Sequence, residues 1–233
     1  MLPGRIRPML AMAANEPFDS AAHLFEVKWD GVRCLAFVEG GRVRLQSRQL
    51  MEITAQFPEL DALRALPEGT VLDGELVVLE GGQPALVKVQ QRVHLQDQHR
   101  IRFLSQKSPA VYIVFDLLYV RGRAVMSDSL ANRRAMLCEM IDPLLLPGVH
   151  VTESVPAVGR AVFVAAMRTG LEGVMAKRAD GQYLSGKRSR AWLKIKPGPP
   201  DSVRATSCAR NYDGISESPV HGISFKLNHW AGA

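Results

Sequence analysis

Cysteine is scarce in this sequence, and its few copies stand far apart. The three thiols are Cys34, Cys138 and Cys208, and none has the CxxC or Cys/His spacing that is typical of a metal site. We therefore predict no zinc site, thiols that are inert or buried, and a reducing compartment.

Long apolar runs are also missing. No stretch approaches the roughly 20 residues that a helix needs to cross a membrane. The opening residues, M-L-P-G-R-I-R-P-M-L-A-M-A-A-N-E, contain basic and apolar side chains, but Pro8 and the shortness of the apolar segment make a poor signal peptide. The sequence therefore predicts a soluble, cytoplasmic protein with no membrane contact.

Positive charge is what the chain has in excess. Its 29 lysines and arginines outnumber its 23 acidic residues, which gives a net charge of +6 and a pI near 9.5. This balance suits a polyanionic partner, although a moderately basic enzyme with no nucleic-acid ligand is a common alternative. At 233 residues the chain is long enough for one large domain or two small ones, and we favour one.

Apolar periodicity outlines a mixture of strands and helices. After an irregular lead-in over residues 1–22, a strand pattern runs from Leu24 to Val38, turns at a Gly-Gly pair, and returns through Val43 to Ser47. Further strands are predicted over 70–80, 110–120, 149–155 and 192–197, and the second of these is apolar enough to be central. Helices are predicted over 53–66, 86–95, 130–141 and 160–168, with a basic stretch at 99–107 and no clear periodicity in the last thirty or so residues.

The stretch F-E-V-K-W-D-G-V-R-C holds the one candidate nucleophile, Lys28. Period-two alternation places Glu26, Lys28 and Asp30 on one side of a strand and three apolar residues on the other. A lysine amine attacks phosphorus only when uncharged, so it needs cationic neighbours, a metal or desolvation. Gly31 lets the backbone approach a ligand, and Arg33 offers a planar fork for phosphate or ribose oxygens. The alternative is a surface strand with mixed charges.

Two later strands carry charged faces that could complete such a site. Asp73 and Glu75 share a face of the strand T-V-L-D-G-E-L-V-V-L-E and are costly to bury unless they meet a cation. Trp192, Lys194 and Lys196 share a face of the strand W-L-K-I-K-P, and its two lysines would supply the cations that the nucleophile needs.

The assignment of two further residues, Arg48 and Phe115, to the site has less support from the alternation pattern of their own strands. Arg48, which follows Ser47 at the end of the return strand, is placed near the ligand. Phe115 lies in the most apolar strand and could belong to the core, because phenylalanine is so often buried.

Taken in order, these motifs resemble a known family. K-x-D-G-x-R, S-R, D-G-E, V-F-D-L-L-Y, E-G-V-M-A-K and W-L-K-I-K are similar to motifs I through V of the covalent nucleotidyltransferases, which include DNA ligases, RNA ligases and mRNA capping enzymes. The residues within these motifs are most similar to those of the ligase module of bacterial ATP-dependent DNA ligases, including those used in end joining. The resemblance implies an α+β fold, an antiparallel-sheet nucleotidyltransferase domain related to ATP-grasp.

The resemblance also implies a domain organisation. Residues 1–197 would form the adenylation domain, and 198–233 an irregular tail. Family ligases continue into an oligonucleotide-binding domain, for which the 36 residues after Pro197 are too few. A second departure is Gln49-Leu50, where family members commonly have Asn-Gly, so this loop could be reshaped.

Roles follow residue by residue from the resemblance. Lys28 would attack the α-phosphorus of ATP and become covalently linked to AMP, while Lys194 and Lys196 hold the α-phosphate. In the nucleotide site, Glu26 would help to recognise adenine and Phe115 would stack on the base. Arg33 and Arg48 would lie near the ribose and phosphates, and Lys177 would lie beside the base and ribose. Glu172 would be a carboxylate ligand of Mg²⁺ or Mn²⁺, and Glu75 would contact the ribose or metal-bound water.

The implied substrate is nicked double-stranded DNA, whose 5′-phosphate would receive the AMP. The protein would act as a monomer, with end-joining or repair proteins as partners. One alternative is an RNA ligase or a GTP-using capping enzyme, since K-x-D-G is shared with both. Another alternative, from a different class, is a catalytically weak DNA-binding remnant.

Overall fold

A computed structural model of the chain describes residues 1–198, which fold into two β-sheets and four α-helices. The strands are β1 (Leu10–Ala13), β2 (Ser20–Val27), β3 (Val32–Glu39), β4 (Arg42–Ser47), β5 (Thr70–Glu80), β6 (Gln83–Pro84), β7 (Ala110–Val120), β8 (Arg123–Ala124), β9 (Val149–Val151), β10 (Ser154–Ala157), β11 (Val174–Arg178) and β12 (Arg188–Ile195). The helices are α1 (Leu86–Val93), α2 (Gln98–Lys107), α3 (Leu130–Ile141) and α4 (Gly159–Arg168), with 3₁₀ segments at Thr54–Gln56, Pro58–Ala65 and Asp142–Leu144.

The two sheets are mainly antiparallel. The smaller sheet has the order β1-β12-β11-β2-β10, and the larger has the order β4-β3-β5-β7-β8, with β6 on β5 and β9 on β7. Two pairings, β1 with β12 and β7 with β9, are parallel. The predicted α+β class is therefore found, although the sheets are mixed rather than purely antiparallel.

Apolar side chains pack on both faces of the larger sheet. One face is covered by the 3₁₀ segment Pro58–Ala65 and by α1 and α3, which contribute Leu60, Val89 and Leu137 to the main core. On the other face, Val77 and Ile113 pack with residues of β2, β11 and α4. The two sheets therefore face each other across a shared apolar layer, and β7 is central, as predicted.

The predicted strand from Leu24 to Val38 is in fact two strands in two sheets. β2 begins at Ser20 and ends at Val27 in the smaller sheet, and β3 begins at Val32 in the larger one. The segment 28–31 crosses between them, and Gly31 lies so close to β5 that a Cβ there would clash with the carbonyl oxygen of Leu76. Lys28 therefore lies at a junction of the sheets and not within a strand.

Other differences from the sequence predictions have local causes. The predicted strand 149–155 divides into β9 and β10, which pair with different sheets. The lead-in contains β1, and the basic stretch 99–107 belongs to α2. This helix is capped by Asp97, whose carboxylate accepts hydrogen bonds from two backbone amides, a common N-cap arrangement. The predicted helix over 53–66 consists of two 3₁₀ segments, Thr54–Gln56 and Pro58–Ala65.

The predicted Gly-Gly hairpin between β3 and β4 is present. Gly40 and Gly41 both have positive φ, at 63° and 65°, which a tight hairpin needs and glycine adopts without strain. Within residues 1–198 no helix combines the length and apolar character required to cross a bilayer. The predicted tail lies almost wholly outside the described residues, as does Cys208.

Candidate active site

A cleft of about 780 Å³ lies between the two sheets. Its lining combines residues of β2 and the 28–31 crossing with residues of β3, β5, β7, β11 and β12. It brings together nine of the ten residues predicted from the sequence, namely Glu26, Lys28, Arg33, Arg48, Glu75, Phe115, Lys177, Lys194 and Lys196. The tenth, Glu172, contacts two of them.

Lys28, Glu172 and Lys196 form what we call the open cluster. The Lys28 ammonium donates a hydrogen bond to Glu172 Oε2, and the Lys196 ammonium contacts Oε1. Their side chains are 21%, 21% and 46% exposed. Burial raises the pKa of Glu172, but hydrogen bonds from Lys196 and Lys28 outweigh burial and hold this pKa below its ordinary value. Because an ammonium has no lone pair, Lys28 would have to lose a proton before it could act as a nucleophile.

Two more carboxyl groups stand close to the open cluster. Burial and the neighbouring Glu172 raise the pKa of Asp30. Burial raises the pKa of Glu75 to about 7, against the opposing influence of Arg33 and Lys28. Residues 1–198 contain no group of three or more His, Cys, Asp or Glu side chains arranged to hold a metal ion. However, Mg²⁺ is usually held by one or two carboxylates together with substrate phosphates, so Glu172 and Glu75 have suitable chemistry.

Deeper in the cleft, Glu26, Lys177 and Arg134 form what we call the buried network. Lys177 Nζ lies 2.6 Å from Glu26 Oε2, and Arg134 Nη1 donates to Glu26 Oε1 at 2.9 Å. Arg134 also donates to the carbonyl oxygen of Thr152 at 2.8 Å. Glu26 and Lys177 are both 2% exposed. Burial lowers the pKa of Lys177, and the attraction of Glu26 and Asp116 opposes this.

Arg33 is held rigidly by Asp73, which is fully buried. The guanidinium makes two parallel bonds to the carboxylate, at 2.5 and 2.6 Å. Tyr183 donates its hydroxyl hydrogen to Asp73 Oδ2 at 2.6 Å and accepts from the amide of Met9 at 2.9 Å. Burial lowers the pKa of Arg33, but Asp73 outweighs burial and raises it above its ordinary value. The buried Asp73 carboxylate is therefore paired with a cation, Arg33, as the sequence analysis required.

Phe115 belongs both to the core and to the cleft wall. It is 9% exposed and packs edge-on against Trp192, with ring centroids 6.1 Å apart. The Arg33 guanidinium lies 4.5 Å from the centroid of Phe115, and the Lys177 ammonium lies 4.3 Å from it. The aromatic wall is therefore already in contact with two cations.

The predicted cationic face of the last strand is found, because Trp192, Lys194 and Lys196 all line the cleft. Arg48 lines it from the loop after β4 and is exposed. In that loop Leu50 has φ 67°, the left-handed region that glycine favours, and its amide donates to the carbonyl of Ser47. The turn therefore holds a leucine where glycine would be unstrained.

The sequence interpretation missed Arg134 and Tyr183. The helical pattern over 130–141 includes Arg133 and Arg134, but it does not reveal that Arg133 forms a fully buried ion pair with Asp116 while Arg134 reaches Glu26. Tyr183 lies in a loop without periodicity, so no sequence signal connects it with Asp73. The sequence placed Trp192 on one face with Lys194 and Lys196, but it did not predict the contacts of Trp192 with Phe115 and Lys177.

Comparisons with known proteins identify the family of this chain. A family model described as ATP dependent DNA ligase domain matches residues 8–196. The SPbeta prophage-derived DNA ligase-like protein LigB of Bacillus subtilis (strain 168) is 36% identical over 193 residues, which is 82% of this chain and 67% of that protein. DNA ligase C1 of Mycolicibacterium smegmatis is 40% identical over 196 residues, covering 81% of this chain and 56% of that protein.

Solved structures are similar as well. The ligase domain of M. tuberculosis LigD has a TM-score of 0.68 and 32% identity, over 83% of this chain and 61% of that one. Mycobacterial DNA ligase D, solved with ATP and MES, has a TM-score of 0.67, 32% identity, and coverage of 84% and 62%. The chain thus spans between about half and two thirds of the length of these relatives.

The comparisons do not favour an RNA ligase or a capping enzyme, because both the family model and these relatives are DNA ligases. The family model covers most of the chain, and the LigB relative exceeds 30% identity over two thirds of its own length. This chain belongs to the ATP-dependent DNA ligases, of which the described residues form the adenylation domain.

Proposed function

We propose that Lys28 of this chain takes AMP from ATP and passes it to the 5′-phosphate at a nick in double-stranded DNA. The observation that carries the proposal is the position of Lys28, on the wall of the cleft and in direct contact with Glu172. A nucleophile, its acidic partner and further lysines are thereby gathered around one space large enough for a nucleotide.

In the first step, the Lys28 ammonium releases one proton to water to become an amine, Nζ forms an N–P bond to the α-phosphorus, and a second proton leaves the nitrogen for water as the phosphoramidate forms. The P–O bond to the β-phosphate breaks, and pyrophosphate leaves with the electron pair. Lys194 and Lys196, which line the same cleft, neutralise negative charge on the phosphate oxygens. Once Glu172 is engaged by another cation, its contact with the Lys28 ammonium can open.

The base and ribose are assigned to the inner part of the cleft. Phe115 provides an aromatic wall for the base, and Glu26 provides a carboxylate that helps to select adenine. Lys177 supports both, since it contacts Glu26 and lies against the Phe115 ring. Arg33 and Arg48 are assigned to ribose and phosphate oxygens, and Arg33 is already oriented by Asp73.

Glu172 and Glu75 would hold a divalent cation, Mg²⁺ or Mn²⁺, together with phosphate oxygens. Such an ion would neutralise charge and polarise phosphate oxygens when bound. Because both oxygens of Glu172 contact lysines in the structure, binding requires at least one of these contacts to yield.

In the second step, an oxygen of the DNA 5′-phosphate attacks the same phosphorus, the P–N bond breaks, and Lys28 is regenerated. Sealing then requires the 3′-hydroxyl to displace AMP.

A relative from Mycobacterium tuberculosis carries the name multifunctional non-homologous end joining DNA repair protein LigD. By analogy, we propose cytoplasmic action as a monomer beside end-joining or repair proteins.

The experiment uses ATP or GTP labelled on the α-phosphate, followed by denaturation of the protein. Wild type should retain label from ATP and not from GTP, and Lys28→Ala should retain none. Lys88→Ala is the control, because Lys88 is an exposed lysine paired with Glu80. Label from GTP alone would favour the capping alternative. If neither nucleotide labels the protein, the DNA-binding remnant becomes the better account.

A further inference from the structure

A tyrosine that does not itself line the cleft lies behind one of the cleft arginines. Tyr183 belongs to the loop between β11 and β12 and is 4% exposed, and it is not among the residues of the cleft wall. Arg33 lines the cleft, whereas its partner Asp73 is fully buried behind the wall. Any influence of Tyr183 on a bound nucleotide must therefore pass through other side chains.

Four residues behind the cleft form a closed ring of hydrogen bonds, which we call the arginine clasp. Arg33 donates from Nε and Nη2 to the two oxygens of Asp73, and the Tyr183 hydroxyl donates to Asp73 Oδ2 at 2.6 Å. The Tyr183 oxygen accepts from the amide of Met9 at 2.9 Å, and the carbonyl oxygen of Met9 accepts from Arg33 Nη2 at 3.4 Å. The Tyr183 hydroxyl joins Asp73 to Met9, so the ring opens when this hydroxyl is removed.

The position of the Tyr183 hydroxyl is fixed by its own surroundings. The amide of Tyr183 donates to the carbonyl oxygen of Met126 at 2.8 Å. Arg133, which is fully buried, donates to the carbonyl oxygen of Gly181 in the same loop at 3.0 Å. The Tyr183 ring packs edge-on against Trp192, with ring centroids 5.6 Å apart. The hydroxyl is therefore presented to Asp73 by a tethered loop and a packed ring.

The clasp uses only part of the Arg33 guanidinium. A guanidinium carries five N–H donors in a rigid fork, and those on Nε and Nη2 are directed to Asp73 and Met9. The N–H groups on Nη1 form no hydrogen bond with any other part of residues 1–198, so they are available to a ligand in the cleft. Because one edge of the fork is fixed, these donors need little further ordering when they bind ribose or phosphate oxygens.

We propose that Tyr183 is a positioning residue of the nucleotide site, which acts through Asp73 and Met9 to hold Arg33 in the orientation that binds ATP. This inference rests on the proposed function for the identity of the nucleotide and for the assignment of Arg33 to it. Since Arg33 is assigned to binding and not to the reacting atoms, loss of the hydroxyl weakens ATP binding more than it slows the reaction of bound ATP. A tyrosine that only filled the core would lower stability without this separation.

The test removes one buried hydroxyl at a time from the full chain. Tyr183→Phe keeps the ring against Trp192 and opens the clasp. Tyr112→Phe is the matched control, because Tyr112 is fully buried, donates to the carbonyl oxygen of Cys34 at 3.0 Å, and does not line the cleft. The dissociation constant of ATP is measured by isothermal titration calorimetry without a divalent cation. The rate of AMP-adduct formation at saturating ATP is measured separately with Mg²⁺.

The expected result is a change in binding with little change in rate. Tyr183→Phe should raise the dissociation constant of ATP by about tenfold or more, as expected for a hydrogen bond to a charged group, and should change the saturated rate by less than about threefold. Tyr112→Phe should bind ATP like wild type, although both variants should unfold at lower urea concentrations. In an Arg33→Lys background, Tyr183→Phe should have little further effect on binding, because lysine cannot make the paired bonds to Asp73.

Three results would refute the inference: wild-type ATP binding by Tyr183→Phe, an equal weakening in Tyr112→Phe, or an undiminished effect in the Arg33→Lys background. Failure of the proposed function has a different signature. A wild type that binds ATP but forms no adduct refutes the proposed function, and the dissociation constants still decide the role of Tyr183. A wild type that does not bind ATP refutes both.

Discussion

The buried network and the open cluster have the same arrangement of charges but differ in how far they are exposed to solvent. In both, one glutamate accepts from two cations, but Glu26 is 2% exposed and Glu172 is 21% exposed. The buried network is tied to β2, α3 and β11, whereas the open cluster lies on the 28–31 crossing and at strand ends. The comparison indicates that the inner cleft is preorganised, while the open cluster, to which we assign the reaction, is less constrained and can exchange partners.

This difference arises from how each glutamate is positioned. Glu26 pairs with Met175 across β2 and β11, and the neighbouring Lys177 is held by the same ladder. Glu172 precedes β11, and Gly173 behind it has φ 154° and lies against Ile195 so closely that a Cβ would clash with its carbonyl oxygen. Glu26 is therefore fixed by the hydrogen bonds between two paired strands, whereas Glu172 lies in a tight turn before the strand begins.

The largest expected effect comes from removing a cation of the buried network. Lys177→Met should lower the free energy of unfolding by about 3 kcal/mol or more, because the buried Glu26 Oε2 loses its partner and Glu26 keeps only the contact of Oε1 with Arg134. Urea unfolding followed by circular dichroism measures this. The matched control, Lys88→Met, breaks an exposed pair with Glu80 and should cost less than about 1 kcal/mol. Equal losses in both variants would contradict the distinction between buried and open groups.

The open cluster should respond in the opposite manner, with large effects on rate and small effects on stability. Glu172→Ala and Lys196→Ala should each slow AMP-adduct formation by about a hundredfold or more, the typical cost of losing a preorganised charge-stabilising group. Unfolding by circular dichroism should be almost unchanged, because both side chains are partly exposed. If either variant unfolds, or adenylates at the wild-type rate, the assignment of that residue to the open cluster's chemistry is wrong.

A smaller effect is expected from Glu75, which lines the cleft near Lys28 and Glu172 of the open cluster. Its pKa is raised from 4.5 to about 7 by burial, so the folded state keeps a proton that the unfolded state releases. Stability should therefore fall as pH rises from about 4.5 to about 7 and then change no further on this account. Glu75→Gln should remove this decline, and Glu80→Gln should retain it. A wild type that gains stability relative to Glu75→Gln over this window would reverse the sign and refute the assignment.

Much of the site could be predicted because it follows from local patterns. Period two along W-L-K-I-K correctly placed Lys194 and Lys196 on one face, and the Gly-Gly pair correctly predicted a hairpin. The alternation through Lys28 was less successful, since it treated as one strand a chain that changes sheets at Gly31. That change depends on packing against β5, which no local pattern encodes.

The contacts that orient the site residues could not be predicted either, because they also join segments that are far apart in the sequence. Tyr183 reaches Asp73 across 110 residues of chain, and Arg134 reaches Glu26 across 108. Nothing near either residue signals its partner. The motifs therefore predicted which residues line the cleft, while the groups that orient them required the tertiary structure.

The central claim is that Lys28 is the residue that carries AMP. The most direct test is peptide mass spectrometry of the full chain after incubation with ATP and a divalent cation. The account predicts a gain of one AMP on the peptide that contains Lys28, and no gain in Lys28→Ala. AMP on Lys194 or Lys196 instead, or no adduct on any peptide, would contradict it.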